Sequence, residues 1–304
     1  MSLAVQFSSY GTTDGLRAVQ VQPPAPGPGQ VRLAVRAAGV NPFDWKVLLG
    51  WMRDQVPLDL PAGLGSDVAG VVDAVGEGVS KFSVGDAVLG SSITPSFAQF
   101  ALADPAKLAL KPADVPWAVA GSLSGAGGTA LNVVDRLKVS EGETLLVHAA
   151  AGGVGTFAVQ IAVSRGVRVI GTAGERNHDL LREFGAVPVT YGEGLVDRVR
   201  AVAPDGVDAV LDASGRGEIP DSIELAGGPD RVLTIAAFDA ADKGIQVHQG
   251  RPAETRDLRT LLGLVEEGRL RVPISRTYSL TETGAALDAS QAGHVSGKIV
   301  IVPE

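Results

Sequence analysis

The sequence predicts an α/β protein with a β-rich first part and a parallel sheet covered by helices in the remainder. Short strand-like segments separated by glycines lie before about residue 116, which is typical of antiparallel β structure. Beyond that point, continuous apolar runs alternate with helix-like segments, as in a parallel sheet that is buried on both faces. The chain of 304 residues is long enough for two such domains.

The β-rich part contains one clear strand with a single buried face. Apolar residues alternate with Arg32, Ala34 and Arg36 over 31–36, which is the period of a half-buried strand. Further strands are predicted over 68–75 and 86–89, and the glycines between them indicate turns or bulges. The residues 45–49 suggest a short helix.

The remainder contains the apolar runs of the predicted parallel sheet. Strands are predicted over 145–149, 167–172, 207–211 and 232–236, with a helix over 177–184 between two of them.

The last part of the chain contains an amphipathic helix and a closing strand. Leucines spaced as on one helix face predict a helix over 255–267, which Gly268 would end. Ser279 and Glu282 have the spacing of a capping box that opens another short helix. The apolar residues of 298–302 predict the final strand.

Composition and charge exclude several classes of protein. The chain has no cysteine, which removes disulfides, thiolate metal sites and cysteine nucleophiles. Its net charge is −8 without a basic run, so nucleic acid is not an expected partner. Residues 1–10 lack the features of a signal peptide, and we expect a cytoplasmic protein. The uncharged stretch 144–164 has the length of a membrane span, but its central glycines favour a buried strand, a turn and a helix.

A glycine-rich loop after the strand 145–149 predicts a dinucleotide-binding site. Such a loop needs a small residue at its turn, a glycine beside the pyrophosphate and a glycine where helix and strand touch. The residues in these places are Ala150, Gly152 and Gly155. The helix that begins near Gly155 would direct free N–H groups at the pyrophosphate. The flanking strands supply the context that the motif requires, and the alternative is a purely structural turn.

The end of the second strand bears on the choice of cofactor. An NAD site usually has an acidic residue there that binds the ribose 2′-OH, and this chain has Ala173. Arg176 lies just beyond and is suited to bind the 2′-phosphate of NADPH. Glu175 is the competing candidate, which would favour NADH. We therefore predict NADPH as the cofactor.

Motifs in order along nearly the whole chain resemble the medium-chain dehydrogenase/reductase superfamily. The branch that they resemble most is the zinc-free NADPH:quinone oxidoreductases, the zeta-crystallin-like group. The motifs are Gly39-Val40-Asn41-Pro42-Phe43-Asp44, Gly65-Ser66-Asp67-Val68-Ala69-Gly70-Val71-Val72, Val84-Gly85-Asp86-Ala87-Val88, Ala149-Ala150-Ala151-Gly152-Gly153-Val154-Gly155 and Gly297-Lys298-Ile299-Val300.

This resemblance implies an architecture. It predicts a GroES-like β-barrel catalytic domain over 1–116, a Rossmann domain with a doubly wound parallel sheet over 117–250, and a C-terminal return to the first domain over 251–304. The substrate would lie in a cleft between the domains. The resemblance also implies a homodimer, with 245–247 as a candidate edge strand.

The resemblance implies that no catalytic zinc is bound. In zinc alcohol dehydrogenases of this superfamily, a cysteine stands in the place of Asn41 and a histidine in that of Ser66. The third ligand, a cysteine, would lie within 121–128, where none occurs. Amide and hydroxyl oxygens are poor ligands for Zn²⁺ beside thiolate or imidazole.

Four residues are candidates for the catalytic machinery. By resemblance, Asn41 and Asp44 face the nicotinamide and the substrate, and Thr129 lies near the nicotinamide. Lys46 is a candidate donor to a ribose hydroxyl or to a developing enolate oxygen. The alternatives are a turn residue for Asn41, a helix cap for Asp44 and a solvated lysine.

A larger set of residues is expected at the cofactor. It comprises the glycine loop, the surroundings of the 2′-phosphate, and the loop that borders the nicotinamide: Thr129, Ala150, Gly152, Gly153, Val154, Gly155, Thr172, Gly174, Arg176, Tyr191, Ala236 and Phe238. Gly174 stands where a serine is common in this branch. His148 is interpreted as a buried core histidine.

The sequence therefore predicts an oxidoreductase that transfers hydride from NADPH to a quinone or another activated carbonyl or alkene. No residue stands out as a general acid, which suits an electron-poor quinone better than an enone. The alternatives are an enone reductase, an NADPH-binding protein without turnover, as a crystallin or sensor, and a zinc alcohol dehydrogenase. A small-molecule acceptor is the expected partner.

Overall fold

The computed structural model describes residues 1–303, and these form two compact units. Unit 1 contains residues 1–128, 252–266 and 273–303, and unit 2 contains residues 129–251 and 267–272. Unit 1 is thus assembled from separated parts of the chain.

The strands, in chain order, are β1 (Ser2–Phe7), β2 (Leu16–Val21), β3 (Val31–Val40), β4 (Ala62–Gly63), β5 (Asp67–Val75), β6 (Ala87–Ser91), β7 (Phe100–Ala103), β8 (Leu108–Leu110), β9 (Thr144–His148), β10 (Arg168–Thr172), β11 (Val187–Val189), β12 (Ala209–Asp212), β13 (Val232–Thr234), β14 (Gln246–Val247), β15 (Ile274–Tyr278) and β16 (Lys298–Ile301).

The α-helices are α1 (Pro42–Leu48), α2 (Trp117–Ala120), α3 (Ser124–Leu137), α4 (Gly153–Ser164), α5 (His178–Glu183), α6 (Leu195–Val202), α7 (Ile219–Leu225), α8 (Thr255–Glu266) and α9 (Thr283–Ala292). Short 3-10 helices cover Thr13–Gly15, Pro105–Lys107, Glu175–Asn177, Phe238–Lys243 and Leu280–Glu282.

Unit 2 is built on a parallel sheet with the strand order β11-β10-β9-β12-β13-β14. The strand order reverses between β9 and β12, and ligands of open α/β sheets bind beside such a switch point. The side chains of β9 are buried throughout, as expected for a central strand that is covered on both faces. The predicted parallel sheet is confirmed, and the glycine loop follows its central strand β9.

Unit 1 contains mainly antiparallel strands, with β15 parallel to β16, around a separate apolar core. One sheet runs β15-β16-β3-β5-β6-β8 with β7 also paired to β3, and a second runs β2-β1-β4. The strand β3 lies between β5 and β16 and is antiparallel to both. The end of β3 therefore lies beside the starts of β5 and β16, where the polar residues described below meet.

Several predicted boundaries differ from the structure for identifiable reasons. Helix α1 begins at Pro42, three residues before the predicted start at 45, because proline is favourable in a first helical turn and Asp44 caps the helix. Strand β13 ends at Thr234 rather than at 236, because the Thr234 hydroxyl accepts hydrogen bonds from the next turn. The predicted Ser279–Glu282 capping contact is confirmed at 2.9 Å.

Among the described residues, no helix has the length and apolar character needed to cross a membrane. The uncharged stretch 144–164 consists of β9, the glycine loop and α4, as the glycines within it predicted.

The C-terminal end of α3 is held by the ion pair between Arg231 and Glu143. The Arg231 guanidinium binds both carboxylate oxygens of Glu143, at 2.6 and 3.0 Å. It also donates to the carbonyl oxygens of Leu137 and Lys138, where α3 ends. This arrangement lowers the pKa of Glu143 to about 2, chiefly through the side-chain hydrogen bond from Arg231.

Acid is expected to weaken this contact, because the folded pKa of Glu143 lies below its ordinary value of 4.5. The stabilisation is complete above about pH 4.5 and is lost as the pH falls toward 2. After discounting for solvent screening, it is worth about 0.2–1 kcal/mol. Urea unfolding of Arg231→Met between pH 2 and 4.5 should therefore show a smaller loss of stability with acid than that of the unaltered chain. Arg165→Met, which removes the exposed Asp135 pair in the same unit, should retain the original slope.

Candidate functional site

The glycine loop of unit 2 lies at the carboxyl end of β9 and leads directly into α4. The first backbone hydrogen bond of α4 runs from the Thr156 N–H to the Gly152 carbonyl. The amides of Gly153, Val154 and Gly155 precede that bond and belong to the first helical turn, whose N–H groups have no acceptor within the helix. This geometry is suited to bind a pyrophosphate at the positive end of the helix dipole.

Gly155 is required by the close approach of α4 to the strand that precedes it. A β-carbon added there would lie 2.3 Å from the Ala149 carbonyl oxygen and 2.8 Å from the Ala150 Cα. Both atoms belong to the backbone, so no side-chain rotation would relieve the contact. The residue thus fills the place of the fingerprint glycine at which helix and strand touch.

The tight turn of the loop lies one residue earlier than the sequence predicted. Ala149 has a φ of +51°, the left-handed conformation that is unusual for alanine, whereas Ala150 was the predicted turn residue. Ala150 is fully buried, and its N–H donates to the Thr172 carbonyl. Ala150 therefore holds β9 and β10 together and does not offer its amide to a ligand.

Thr172 supports this turn from inside unit 2. Its hydroxyl accepts a hydrogen bond from the Ala149 N–H at 3.3 Å and lies 3.3 Å from Nδ1 of His148. The other ring nitrogen of His148 contacts the Ser222 hydroxyl at 3.0 Å. Both residues are buried, so the Thr172 hydroxyl has an internal role, and the contact of Thr172 with the cofactor stays a prediction. The interpretation of His148 as a buried, partnered histidine is confirmed.

The residues expected at the ribose 2′ position lie together at the ends of β10 and β11. A β-carbon on Gly174 would have the Tyr191 hydroxyl as its nearest neighbour, at 3.9 Å. Arg176 and Glu175 are exposed in the 3-10 helix that follows. Ala173, at the end of β10, is buried. The strand end thus offers no carboxylate at the position that binds a ribose diol in NAD sites.

A buried carboxylate ties together the two loops that follow β12 and β13. Asp212 accepts hydrogen bonds from the Ser214 and Gly215 amides, at 2.9 and 3.0 Å, and from the Thr234 hydroxyl at 2.7 Å. The Thr234 oxygen in turn accepts the N–H groups of Ala236 and Ala237. This network fixes the start of the loop that was predicted to border the nicotinamide, and Phe238 follows it with an exposed ring.

Thr129, in α3, is nearly buried and faces the segment after β14. Its hydroxyl donates to the Arg251 carbonyl over a long 3.4 Å. A β-carbon on Gly250 would lie 3.1 Å from that hydroxyl. The Thr129 hydroxyl is thus held only weakly within unit 2.

A cluster of polar residues, buried except for the partly exposed Asn41, lies in unit 1 where three strands meet. Asn41 follows the end of β3, Asp67 opens β5 and Lys298 opens β16. Because β3 is antiparallel to both neighbours, these three positions are brought to the same edge of the sheet.

The Asn41 carboxamide is bound at both ends. Its oxygen accepts a hydrogen bond from the Lys298 ammonium at 2.6 Å, and its nitrogen donates to Asp67 at 3.1 Å. The ammonium also donates to the Val40 carbonyl at 2.9 Å. The backbone amide of Gly125, in the first turn of α3, lies against the Asp67 carboxylate. We refer to Asn41, Asp44, Asp67 and Lys298 as the polar cluster.

Burial dominates the electrostatics of the polar cluster. It raises the pKa of Asp67 and lowers the pKa of Lys298, since water does not solvate either charge. The opposite charges of the two groups counteract both shifts. The Asn41 side chain and the Gly125 amide further favour the charged form of Asp67.

Asp44 belongs to the polar cluster through the helix that it caps. Its Oδ2 accepts the Asn41 backbone N–H at 2.7 Å, so Asp44 lies at the third position of α1 in a capping box whose N-cap is Asn41, and it does not cap a helix that begins at 45. Burial raises the pKa of Asp44 to about 7, with a smaller contribution from the Asp67 charge. A direct contact of Asp44 with a substrate stays a prediction.

Lys46 projects from the same helix but is separate from the polar cluster. Its ammonium lies 5.6 Å from the centre of the Trp45 ring, and partial burial lowers its pKa. Trp45 also packs edge-to-face on the exposed Trp51, with ring centres 5.4 Å apart. The predicted role of Lys46 as a donor stays a prediction.

Two family models match most of the chain. Residues 27–136 match the alcohol dehydrogenase GroES-like domain, and residues 184–301 match the zinc-binding dehydrogenase domain. A chloroplast envelope quinone oxidoreductase homolog of Arabidopsis thaliana is 32% identical, over 99% of this chain and 98% of its own.

Solved structures agree with these matches. The quinone oxidoreductase of Coxiella burnetii superposes with a TM-score of 0.89 at 31% identity, over 99% of each chain. A mycobacterial protein complexed with NADPH gives a TM-score of 0.88 at 29% identity, over the whole of both chains. The chain therefore belongs to the medium-chain dehydrogenase/reductase superfamily, in its quinone oxidoreductase branch, and is an oxidoreductase. The family and the fold class predicted from the sequence are confirmed.

One matching family model is named for zinc binding, so we asked whether the residues at the expected metal position could hold Zn²⁺. The Asn41 oxygen that would face a metal ion is already bound to the Lys298 ammonium, and a cation at that oxygen would meet this positive charge at close range. Ser66 supplies only a hydroxyl and a backbone carbonyl, and the latter accepts hydrogen bonds from Ser92. Within residues 1–303, no group of three or more His, Asp or Glu is arranged to hold a metal ion. This donor set does not fit Zn²⁺.

Sequence reasoning missed the partners that hold the candidate residues in place. Asp67, Lys298, Asp212 and Thr234 received no role, although each is buried and hydrogen-bonded. A signal was present, because a lysine opens the apolar strand β16 and an aspartate ends the apolar strand β12. A polar residue at the end of a buried strand is placed there by a partner that the sequence does not identify.

Proposed function

We propose that this chain reduces quinones with NADPH and without a metal ion. The observation that supports this most directly is the glycine loop, in which Gly155 leaves no room for a β-carbon and the first amides of α4 precede its first hydrogen bond. The quinone as acceptor is supported by the relatives in this branch. The absence of a metal from the reaction is supported by the donor set around Asn41.

The residues of unit 2 are suited to hold the cofactor in a defined way. The amides of Gly153, Val154 and Gly155, in the loop that Gly152 opens, would donate to the pyrophosphate. The Arg176 guanidinium and the Tyr191 hydroxyl would bind the 2′-phosphate beside Gly174. The loop of Ala236 and Phe238 would border the nicotinamide, as would the Thr129 hydroxyl.

NADPH, when bound, supplies the hydride, and the chain supplies orientation and polar groups. In unit 1, the Asn41 nitrogen carries two hydrogens, and Asp67 uses one of them. The second is the donor that we assign to the acceptor oxygen, on which negative charge develops during hydride transfer. A homodimer that pairs through the edge strand β14 and a cytoplasmic location complete the proposal.

Oxidation of NADPH and NADH in the presence of a simple quinone, such as 1,4-benzoquinone, and of a simple enone tests the assignment. We expect turnover of NADPH with the quinone well above the blank without enzyme. Turnover of the enone alone would identify an enone reductase. Tight NADPH binding without turnover of either acceptor would identify a binding protein instead.

Arg176→Ala is expected to raise the KM for NADPH about 10- to 100-fold, because a charge-assisted hydrogen bond is worth about 1.5–3 kcal/mol. The KM for NADH should change less than about 2-fold, since NADH lacks the 2′-phosphate. The matched control is Arg182→Ala, which removes another exposed guanidinium of unit 2 that pairs with Asp179. If the KM for NADPH is unchanged in Arg176→Ala, Arg176 does not bind the 2′-phosphate. Glu175 is then the next residue to replace.

A further inference from the structure

We propose that Lys298 and Asp67 are positioning residues that hold the Asn41 carboxamide in one orientation, so that it presents an N–H donor to the acceptor. This inference rests on the proposed function, in which Asn41 contacts the acceptor oxygen. It assigns a task to two buried charged residues that the cofactor site does not use.

The orientation follows from the chemistry of the two partners. An ammonium has only donors, so the amide group that faces Lys298 at 2.6 Å is the oxygen. An ionised carboxylate has only acceptors, so the group that faces Asp67 at 3.1 Å is the nitrogen. An amide that rotated by 180° would place its nitrogen on the ammonium and its oxygen on the carboxylate, and both contacts would become repulsive. The flanking charges therefore exclude the orientation in which Asn41 would accept a hydrogen bond instead of donating one.

Both charged partners are themselves held in place. Lys298 is anchored by the Val40 carbonyl at 2.9 Å and is almost fully buried. Asp67 is fully buried beside the Gly125 amide, where the positive end of the α3 dipole favours its charge.

The packing leaves the cluster little freedom to rearrange. A β-carbon on Gly125 would lie 2.9 Å from both Asp67 oxygens and 3.1 Å from the Asn41 nitrogen. A β-carbon on Gly39 would lie 2.6 Å from the Gly121 carbonyl oxygen and 3.1 Å from Asp67. Charged groups are costly to bury, so their presence at a donor that must be preorganised indicates a task beyond packing.

A double-mutant cycle between Lys298→Met and Asn41→Ala tests the inference. We expect Asn41→Ala to lower kcat about 100-fold, as for the loss of a donor at a developing oxyanion. Lys298→Met should lower kcat about 10- to 100-fold and change the dissociation constant of NADPH, measured by fluorescence, less than about 2-fold. If Lys298 acts through Asn41, the double variant should be no slower than Asn41→Ala alone. Lys298→Arg, which keeps a cation with donors only, should recover part of the lost kcat.

The matched control is Lys81→Met, in the same unit. The Lys81 ammonium also binds two backbone carbonyls, those of Pro105 and Leu108, at 2.6 and 2.9 Å. It lies outside the polar cluster, so its loss is expected to lower the melting temperature while kcat is retained.

A second readout does not depend on turnover. In NMR spectra, the side-chain NH₂ signals of Asn41, identified by their loss in Asn41→Ala, should shift in Lys298→Met and stay in place in Lys81→Met. If Lys298→Met does not fold, the double variant Asp67→Asn/Lys298→Met replaces it in the mutant cycle. This variant removes both buried charges together.

Four outcomes would overturn the inference or its basis, and they are distinguishable. An unaltered chain that oxidises no NADPH with any acceptor refutes the proposed function and this inference with it. An active chain in which the two substitutions multiply their effects refutes the inference alone, as does an active Lys298→Met variant with an unchanged kcat. Unshifted Asn41 signals in Lys298→Met also refute it.

Discussion

Replacing Gly155 with alanine is expected to weaken NADPH binding about 100-fold, because misplacement of a binding group by about 1 Å has an effect of this size. The added methyl group would lie 2.3 Å from the Ala149 carbonyl oxygen, so α4 and its first amides must move away from β9. The same overpacking should lower the free energy of unfolding by about 1–3 kcal/mol. Fluorescence titration with NADPH and urea unfolding measure the two effects.

The control for this substitution is Gly263→Ala, which makes the same chemical change in the interior of α8. A β-carbon at Gly263 has no neighbour within 4 Å. It should leave NADPH binding unchanged and stabilise the helix by about 0.8–1 kcal/mol. If Gly155→Ala binds NADPH within about 3-fold of the unaltered chain, the glycine loop does not form the pyrophosphate site.

The chain is expected to lose stability as the pH rises from about 4 to 7, and Asp44 is expected to be a main cause. Its pKa is about 7 in the folded state, against an ordinary value of 3.8. Over that interval the folded state retains a proton that the unfolded state has released, so the free energy of unfolding falls by up to about 1.4 kcal/mol per pH unit. Below the ordinary value both states are protonated, and above pH 7 both are ionised, so the slope disappears.

Asp44→Asn removes this titration and keeps the shape of the side chain. Urea unfolding at pH 4.5, 5.5, 6.5 and 7.5 should show a flatter profile for Asp44→Asn, with its largest advantage over the unaltered chain at pH 7.5. The raised pKa of Asp67 also makes the free energy of unfolding fall as the pH rises. Because both chains contain Asp67, the difference between the profiles of Asp44→Asn and the unaltered chain reports on Asp44. The exposed Asp54→Asn controls for the loss of one negative charge. Parallel profiles of Asp44→Asn and the unaltered chain would show that Asp44 is ionised throughout this range.

Motifs with a local physical requirement were predictable from the sequence. The parallel sheet followed from continuous apolar runs, and the glycine loop followed from the order of strand, glycines and helix. The choice of Gly155 as the contact glycine agrees with the structure, since no side chain fits there. The prediction placed the tight turn one residue too late, because Ala149 and Ala150 are both alanine. Only the backbone conformation shows that Ala149 has the positive φ.

The partners of the candidate residues were not predictable, because they are distant along the chain. Asn41 and Lys298 are separated by 257 positions, and their contact arises from the pairing of β3 with β16. The sequence left two roles open for Asp44. Its 2.7 Å contact with the Asn41 amide places it in a capping box, and its contact with a substrate stays a prediction. The environment that raises its pKa comes from burial within unit 1, which no local pattern encodes.

The class of fold, the glycine loop and the family were predictable from sequence, because each depends on residues that are neighbours along the chain or on motifs in a fixed order. The tertiary structure alone decided which charges surround Asn41 and which end of its amide faces each of them. The physical reason is that burial and long-range strand pairing set both hydrogen-bond partners and pKa values. The same pairing places the Lys298 ammonium against the Asn41 oxygen, where it would repel a metal ion.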